Sequence, residues 1–77
     1  MNRVINVDMD CKTKNVTTAL NKFFKKYSNV EYWKDTFEYM IENNLDVLSD
    51  TNADDWTWTL HLNIEEDYIY VAVIERA

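Results

Sequence analysis

The chain has 77 residues, a formal net charge of −6, one cysteine, one histidine, and neither glycine nor proline. Such a length reads as one small domain, residues 1–77, with about 3–5 kcal/mol of stability and no staples, because Cys11 and His61 cannot make an intramolecular disulfide or a four-ligand zinc site. The acidic balance argues against direct nucleic-acid binding, the lone cysteine fits a reducing compartment, and no apolar run approaches the ~18 residues of a membrane span, so a soluble, untargeted, cytoplasmic protein is expected.

Ile5, Val7 and Met9 alternate with Asn6, Asp8 and Asp10, which predicts a first strand over residues 3–9. Residues 10–15 are polar and read as a connection. The period then changes. Val16, Ala19, Leu20, Phe23, Phe24 and Tyr27 follow helical spacing, predicting an amphipathic helix over about 15–27, with Lys25 and Lys26 in the last turn, where they suit the helix dipole. Ser28-Asn29-Val30-Glu31 has the spacing of a capping box, so a second helix is expected from there to about Asn44. Trp33, Phe37, Met40 and Ile41 would share its buried face, with Val30 close by, and Asn43-Asn44 offers a left-handed stop.

Residues 45–49 read equally as a short strand or as an extended lead-in. Asp50 through Asp55 form a polar turn in which Asn and Asp replace the missing glycine. The strand around which the rest is organised follows at 56–64, with Trp56, Trp58, Leu60, Leu62 and Ile64 on one face and Thr57, Thr59, His61 and Asn63 on the other. Residues 68–75 give the last strand, in an antiparallel hairpin with it. Pairing 64 with 67 would set Leu62 against Ile69 and Leu60 against Val71, separating an apolar face from one that carries Tyr68 and Tyr70. The expected fold class is α+β: an N-terminal strand, two amphipathic helices, then an antiparallel hairpin or three-strand meander, with the helices packed on one sheet face.

Charge is unevenly placed. Residues 1–30 carry Arg3, Lys12, Lys14, Lys22, Lys25 and Lys26 against Asp8 and Asp10, a net +4, whereas residues 31–77 carry Lys34 and Arg76 against twelve acids, a net −10. On the second helix Glu31, Asp35, Glu38 and Glu42 follow i, i+4, i+7, i+11, and Asp46 would continue the series if the helix ran that far. At about 100° per residue these acids form a ridge opposite the apolar face, flanked by Tyr32 and Tyr39. Like charges four apart oppose a helix, and residues that oppose the fold are where function is worth suspecting. The candidate partner-binding residues are therefore Glu31, Tyr32, Asp35, Glu38, Tyr39, Glu42 and Asp46.

Catalytic and metal signatures are missing. Asp50-Thr51-Asn52-Ala53-Asp54 opens like a calcium loop, but Asp55 stands where the loop needs glycine and His61 where it needs glutamate. His61 lacks an identifiable nucleophile and orienting acid, Asp8 and Asp10 read as a solvated strand face, and Cys11 reads as an ordinary free thiol, although Lys12 beside it would lower its pKa. No enzymatic activity, cofactor or metal is expected.

In size, acidity, lack of a catalytic signature and an Asn, Lys, Ile and Tyr content typical of AT-rich genomes, the chain resembles small phage-encoded inhibitors of host defence, of the anti-CRISPR or DNA-mimic type. It is less acidic than the strongest DNA mimics and has a basic first third. The resemblance implies stoichiometric inhibition, with the ridge docking on the basic surface of a nucleic-acid-handling partner. The alternatives are an immunity protein or antitoxin for a basic nuclease toxin, and a homodimeric accessory protein that uses the tyrosine-bearing sheet face.

Overall fold

A computed structural model describes residues 4–51 and 55–76. In chain order it contains β1 (Val4–Cys11), α1 (Val16–Lys26), a 3-10 segment (Ser28–Trp33), α2 (Lys34–Glu42), β2 (Val47–Thr51), β3 (Thr57–Ile64) and β4 (Ile69–Arg76). The strands form one antiparallel sheet in the order β1-β4-β3-β2. The α+β expectation holds: β2, β3 and β4 make a three-strand meander, β1 pairs on its far side, and the helices lie against one face.

β1 runs two residues beyond the predicted 3–9, and Arg3 lies outside the described residues. Asp10 does not end the strand, because its side chain falls on the outer face, while Cys11 continues the inward series of Ile5, Val7 and Met9 and is fully buried. α1 begins where Asn15 accepts a hydrogen bond from the Thr18 amide at 2.9 Å. A cap of this kind contributes about 1 kcal/mol, so Asn15→Ala is expected to lower the urea midpoint with the slope unchanged; an unaltered midpoint would show that the cap adds nothing here. Ala19, Leu20, Phe23 and Phe24 are buried, as the periodicity predicts.

The expected helix over 28–44 is divided. Val30 has non-helical angles (φ −115°, ψ 16°), and no side-chain cap forms at the start of the 3-10 segment, so the predicted capping box is absent there. Instead the Val30 amide donates to the Tyr27 carbonyl at 3.1 Å. Across the bend, Val30 and Trp33 still join Phe37 and Met40 in the core. Ile41, expected inside, is 38% exposed. The Asn43-Asn44 stop is realised: Asn44 takes φ 54°, the Leu45 amide reaches the Met40 carbonyl at 2.9 Å, and the Asn44 amide reaches Ile41 at 3.2 Å. This is a Schellman-type end, with asparagine serving where glycine is more usual.

β2 resolves the open reading of residues 45–49 in favour of a strand, displaced to 47–51 and paired Leu48 to Leu60. Of the turn over 50–55, residues 52–54 lie outside the described residues, and Asp55 adopts φ 58°. The β3–β4 register differs from the expected one by two residues. Ile64 pairs with Ile69, Leu62 with Val71, Leu60 with Val73 and Trp58 with Glu75, and the Glu65 amide closes the hairpin onto the Tyr68 carbonyl. A two-residue shift preserves parity, so the predicted separation of faces survives. Phe23, Phe37, Met40, Leu60, Ile69, Val71 and Val73 form the centre of the core between the helices and the sheet.

Candidate functional site

All seven predicted partner-binding residues are exposed. Glu31 and Tyr32 stand on the 3-10 segment, Asp35, Glu38, Tyr39 and Glu42 on α2, and Asp46 in the connection to β2. With Phe37 and Met40 fixed in the core, a rotation of about 100° per residue sends Asp35, Glu38 and Glu42 into an arc of roughly 60° on the opposite side. Tyr32 and Tyr39 are 57% and 52% exposed, so both offer ring surface beside the acids. The break before α2 leaves Asp46 off the helix; its carbonyl instead accepts from the Leu62 amide at 2.9 Å.

The break also changes the electrostatics of the ridge. Asp35 now lies in the first turn of α2 and Glu31 in the first turn of the 3-10 segment, where the positive end of the backbone dipole favours them. Glu31 borders a shallow depression of about 220 Å³ together with Lys25 of α1 and Lys34, so the basic helix adjoins the ridge at this end. At the other end there is no such relief. The last turn of α2 contains no basic residue, and Glu42 sits there four residues after Glu38. The opposition between charge and fold inferred from the sequence is thus concentrated toward the C-terminal end of α2.

A residue that the sequence reading passed over anchors the near end. Glu75 is 5% exposed, on the helix-facing side of β4. Its Oε2 accepts hydrogen bonds from the Trp33 Nε1–H, at 3.0 Å, and from the Tyr32 hydroxyl. Trp33 in turn packs 4.7 Å from Trp58 and 6.2 Å from Trp56 between ring centroids. The carboxylate therefore ties the 3-10 segment to β4 and sets the position of Glu31 and Tyr32. Parity gave the signal, since Glu75 continues the inward series of Ile69, Val71 and Val73.

The outer sheet face carries the remaining candidates. The Tyr70 hydroxyl donates to Asp8 Oδ2 at 3.1 Å, the Tyr27 hydroxyl donates to the Asp8 carbonyl at 3.1 Å, and His61 lies 6.3 Å from Tyr70 between ring centroids. Asp10 is exposed near the same edge. No group of three His, Cys, Asp or Glu positioned to hold a metal occurs among the described residues. Among them, too, no helix is long and apolar enough to cross a membrane.

Cys11 departs from the sequence argument about Lys12. Burial raises its pKa above the ordinary 9.0, with Lys22 opposing and Asp10 adding to the shift, and the thiol donates to the Ala19 carbonyl at 3.5 Å. The Tyr70 pKa is also raised above 10.0, first by burial, then by its bond to Asp8 and by the charges of Asp8 and Asp10. Both groups are held protonated by the fold. Their contribution is complete below pH 9.0 and is lost as pH rises through the folded-state values. Stability is therefore expected to fall with pH on the alkaline side, and the fall should be shallower in Cys11→Ala and Tyr70→Phe. Urea midpoints measured across that range check this, and a flat profile would contradict it.

Comparison with protein-family profiles, curated proteins and solved structures gives no match to this chain.

Proposed function

We propose that this chain is a non-enzymatic, protein-binding inhibitor, whose acidic helix face docks on the basic, nucleic-acid-binding surface of a partner such as a host-defence nuclease complex. One observation carries the reading. Glu31, Asp35, Glu38, Glu42 and Asp46 are all exposed along the 3-10 segment, α2 and the connection that follows, with the rings of Tyr32 and Tyr39 beside them. Carboxylates presented from a rigid helix match a surface built to bind phosphates, and exposed aromatic rings suit arginine and lysine side chains.

The experiment is capture from bacterial lysate at low salt by the tagged chain and by a variant in which Glu31, Asp35, Glu38 and Glu42 are glutamine. A nucleic-acid-handling protein retained by the native chain and lost with the variant is the expected result. Equal capture by both, or self-association alone, would contradict it. A captured nuclease toxin would identify the chain as an immunity protein or antitoxin using the same face.

A further inference from the structure

The Schellman-type end of α2 leaves an open groove of about 340 Å³ between that helix and the end of β3. Met40, Leu45 and Leu62 line it, and Ile41 and Ile64 add partly exposed apolar surface. Ile64 is 62% exposed although it ends a strand whose other apolar residues pack inward. Asp46 and Glu65 also border the groove with Asn44 and Asn63, and among the described residues no basic one takes part. The C-terminal end of α2 turns its negative dipole end toward the same place, and Glu42 occupies its last turn.

These features select one occupant. The apolar lining calls for a hydrophobic side chain, and the surrounding carboxylates call for cations on either side of it. A second copy of this chain, with its net charge of −6, would bring like charge to that border. We infer that the groove seats one apolar side chain of a basic segment of the partner protein, with neighbouring lysines or arginines facing Asp46 and Glu65. The inference rests on the reading of the acidic face as the partner surface, and extends it by adding an apolar anchor at the end of α2. An apolar centre within a polar rim is the usual anatomy of a protein interface.

The test uses the full-length ¹⁵N-labelled chain and three pentapeptides: leucine flanked by lysines, alanine flanked by lysines, and leucine flanked by glutamates. The lysine-flanked leucine peptide is expected to shift the amides of Ile41, Leu45, Asn63 and Glu65 saturably. It should bind about tenfold more tightly than its alanine counterpart, as expected when a few methylenes leave water. The glutamate-flanked peptide should shift none of them. Ile64→Asn, at an exposed position, should reduce the leucine peptide to the alanine level without disturbing amides elsewhere, and Asp46→Asn combined with Glu65→Gln should weaken both lysine-flanked peptides. If both of those peptides shift Glu31, Asp35 and Glu38 equally and leave the groove unmoved, the groove is not a site while the acidic face still is. If nothing shifts at millimolar peptide, both readings fall. Groove shifts that follow protein concentration alone would assign the groove to a second copy and overturn the inference.

Discussion

Glu75→Ala is expected to remove about 2–3 kcal/mol of folding stability, the larger part of what a domain of this size possesses. Two effects compete at this residue. Placing a carboxylate on the buried face of β4 costs desolvation energy, which by itself would make its removal favourable. Against that, a hydrogen bond to a charged acceptor contributes about 1.5–3 kcal/mol, and a buried donor left without an acceptor costs about 1–3 kcal/mol. The Trp33 indole N–H decides the balance, because Trp33 is buried against Trp58 and Trp56, so its orphaned N–H would have little water to turn to. Tyr32 is more than half exposed, and with its hydroxyl removed the Trp33 N–H and Glu75 still satisfy each other. Tyr32→Phe should therefore cost much less than Glu75→Ala. A Glu75→Leu, Trp33→Phe double variant, which removes acceptor and donor together, should recover part of the loss. Urea unfolding of the three variants measures this. A gain in stability for Glu75→Ala would mean that desolvation dominates and that the anchor of the 3-10 segment lies elsewhere.

Neutralising the ridge should have the opposite pattern, with a large effect on binding and almost none on folding. Changing Glu31, Asp35, Glu38 and Glu42 to glutamine relieves the Glu38–Glu42 repulsion and the unfavourable position of Glu42, worth a few tenths of a kcal/mol each. It also removes Asp35 and Glu31 from helix starts, where their charge helps by similar amounts. The sum should lie within about 0.5 kcal/mol of zero, as for most surface changes. Affinity for a basic partner should fall by about a hundredfold or more, because close charge pairs across an interface couple by about 1.5 kcal/mol or more. Thermal unfolding together with binding of the captured partner at two ionic strengths measures both quantities. A variant that unfolds before it loses binding would show that the ridge belongs to the fold.

Much of this architecture was legible because both periods are written strongly. The alternation from Trp56 to Ile64 and the helical spacing from Val16 to Phe24 each place apolar residues on one face, and the core takes them from those faces except for Ile64, which stays exposed at the end of its strand. The absence of glycine pointed to Asn and Asp for left-handed turns, and Asn44 and Asp55 occupy that conformation. Parity was legible and register was not, since pairing Ile64 with residue 67 or with residue 69 buries the same side chains. β2 gave a weak signal because an edge strand with Leu48 as its inward apolar residue has little alternation to show. The break at Val30 escaped because Ser28 and Glu31 have capping-box spacing, and because Val30, Trp33, Phe37 and Met40 would share one face of an unbroken helix as well, so the periodicity carries no sign of it. Of the site, the exposure of the acids and tyrosines followed from the helical period. The part played by Glu75 needed the parity of β4 together with the placement of Trp33, and the groove needed the fold itself, since Met40, Leu62 and Glu65 meet there from two elements and a turn.

An inhibitor of this kind and nucleic acid must compete for one surface of the partner. The most direct measurement is displacement: the captured partner, saturated with labelled nucleic acid at low salt, is titrated with the native chain. Stoichiometric release of the nucleic acid, absent with the four-glutamine variant and weakened as salt rises, is the predicted result. A stable ternary complex, with the nucleic acid still bound at saturating chain, would contradict it.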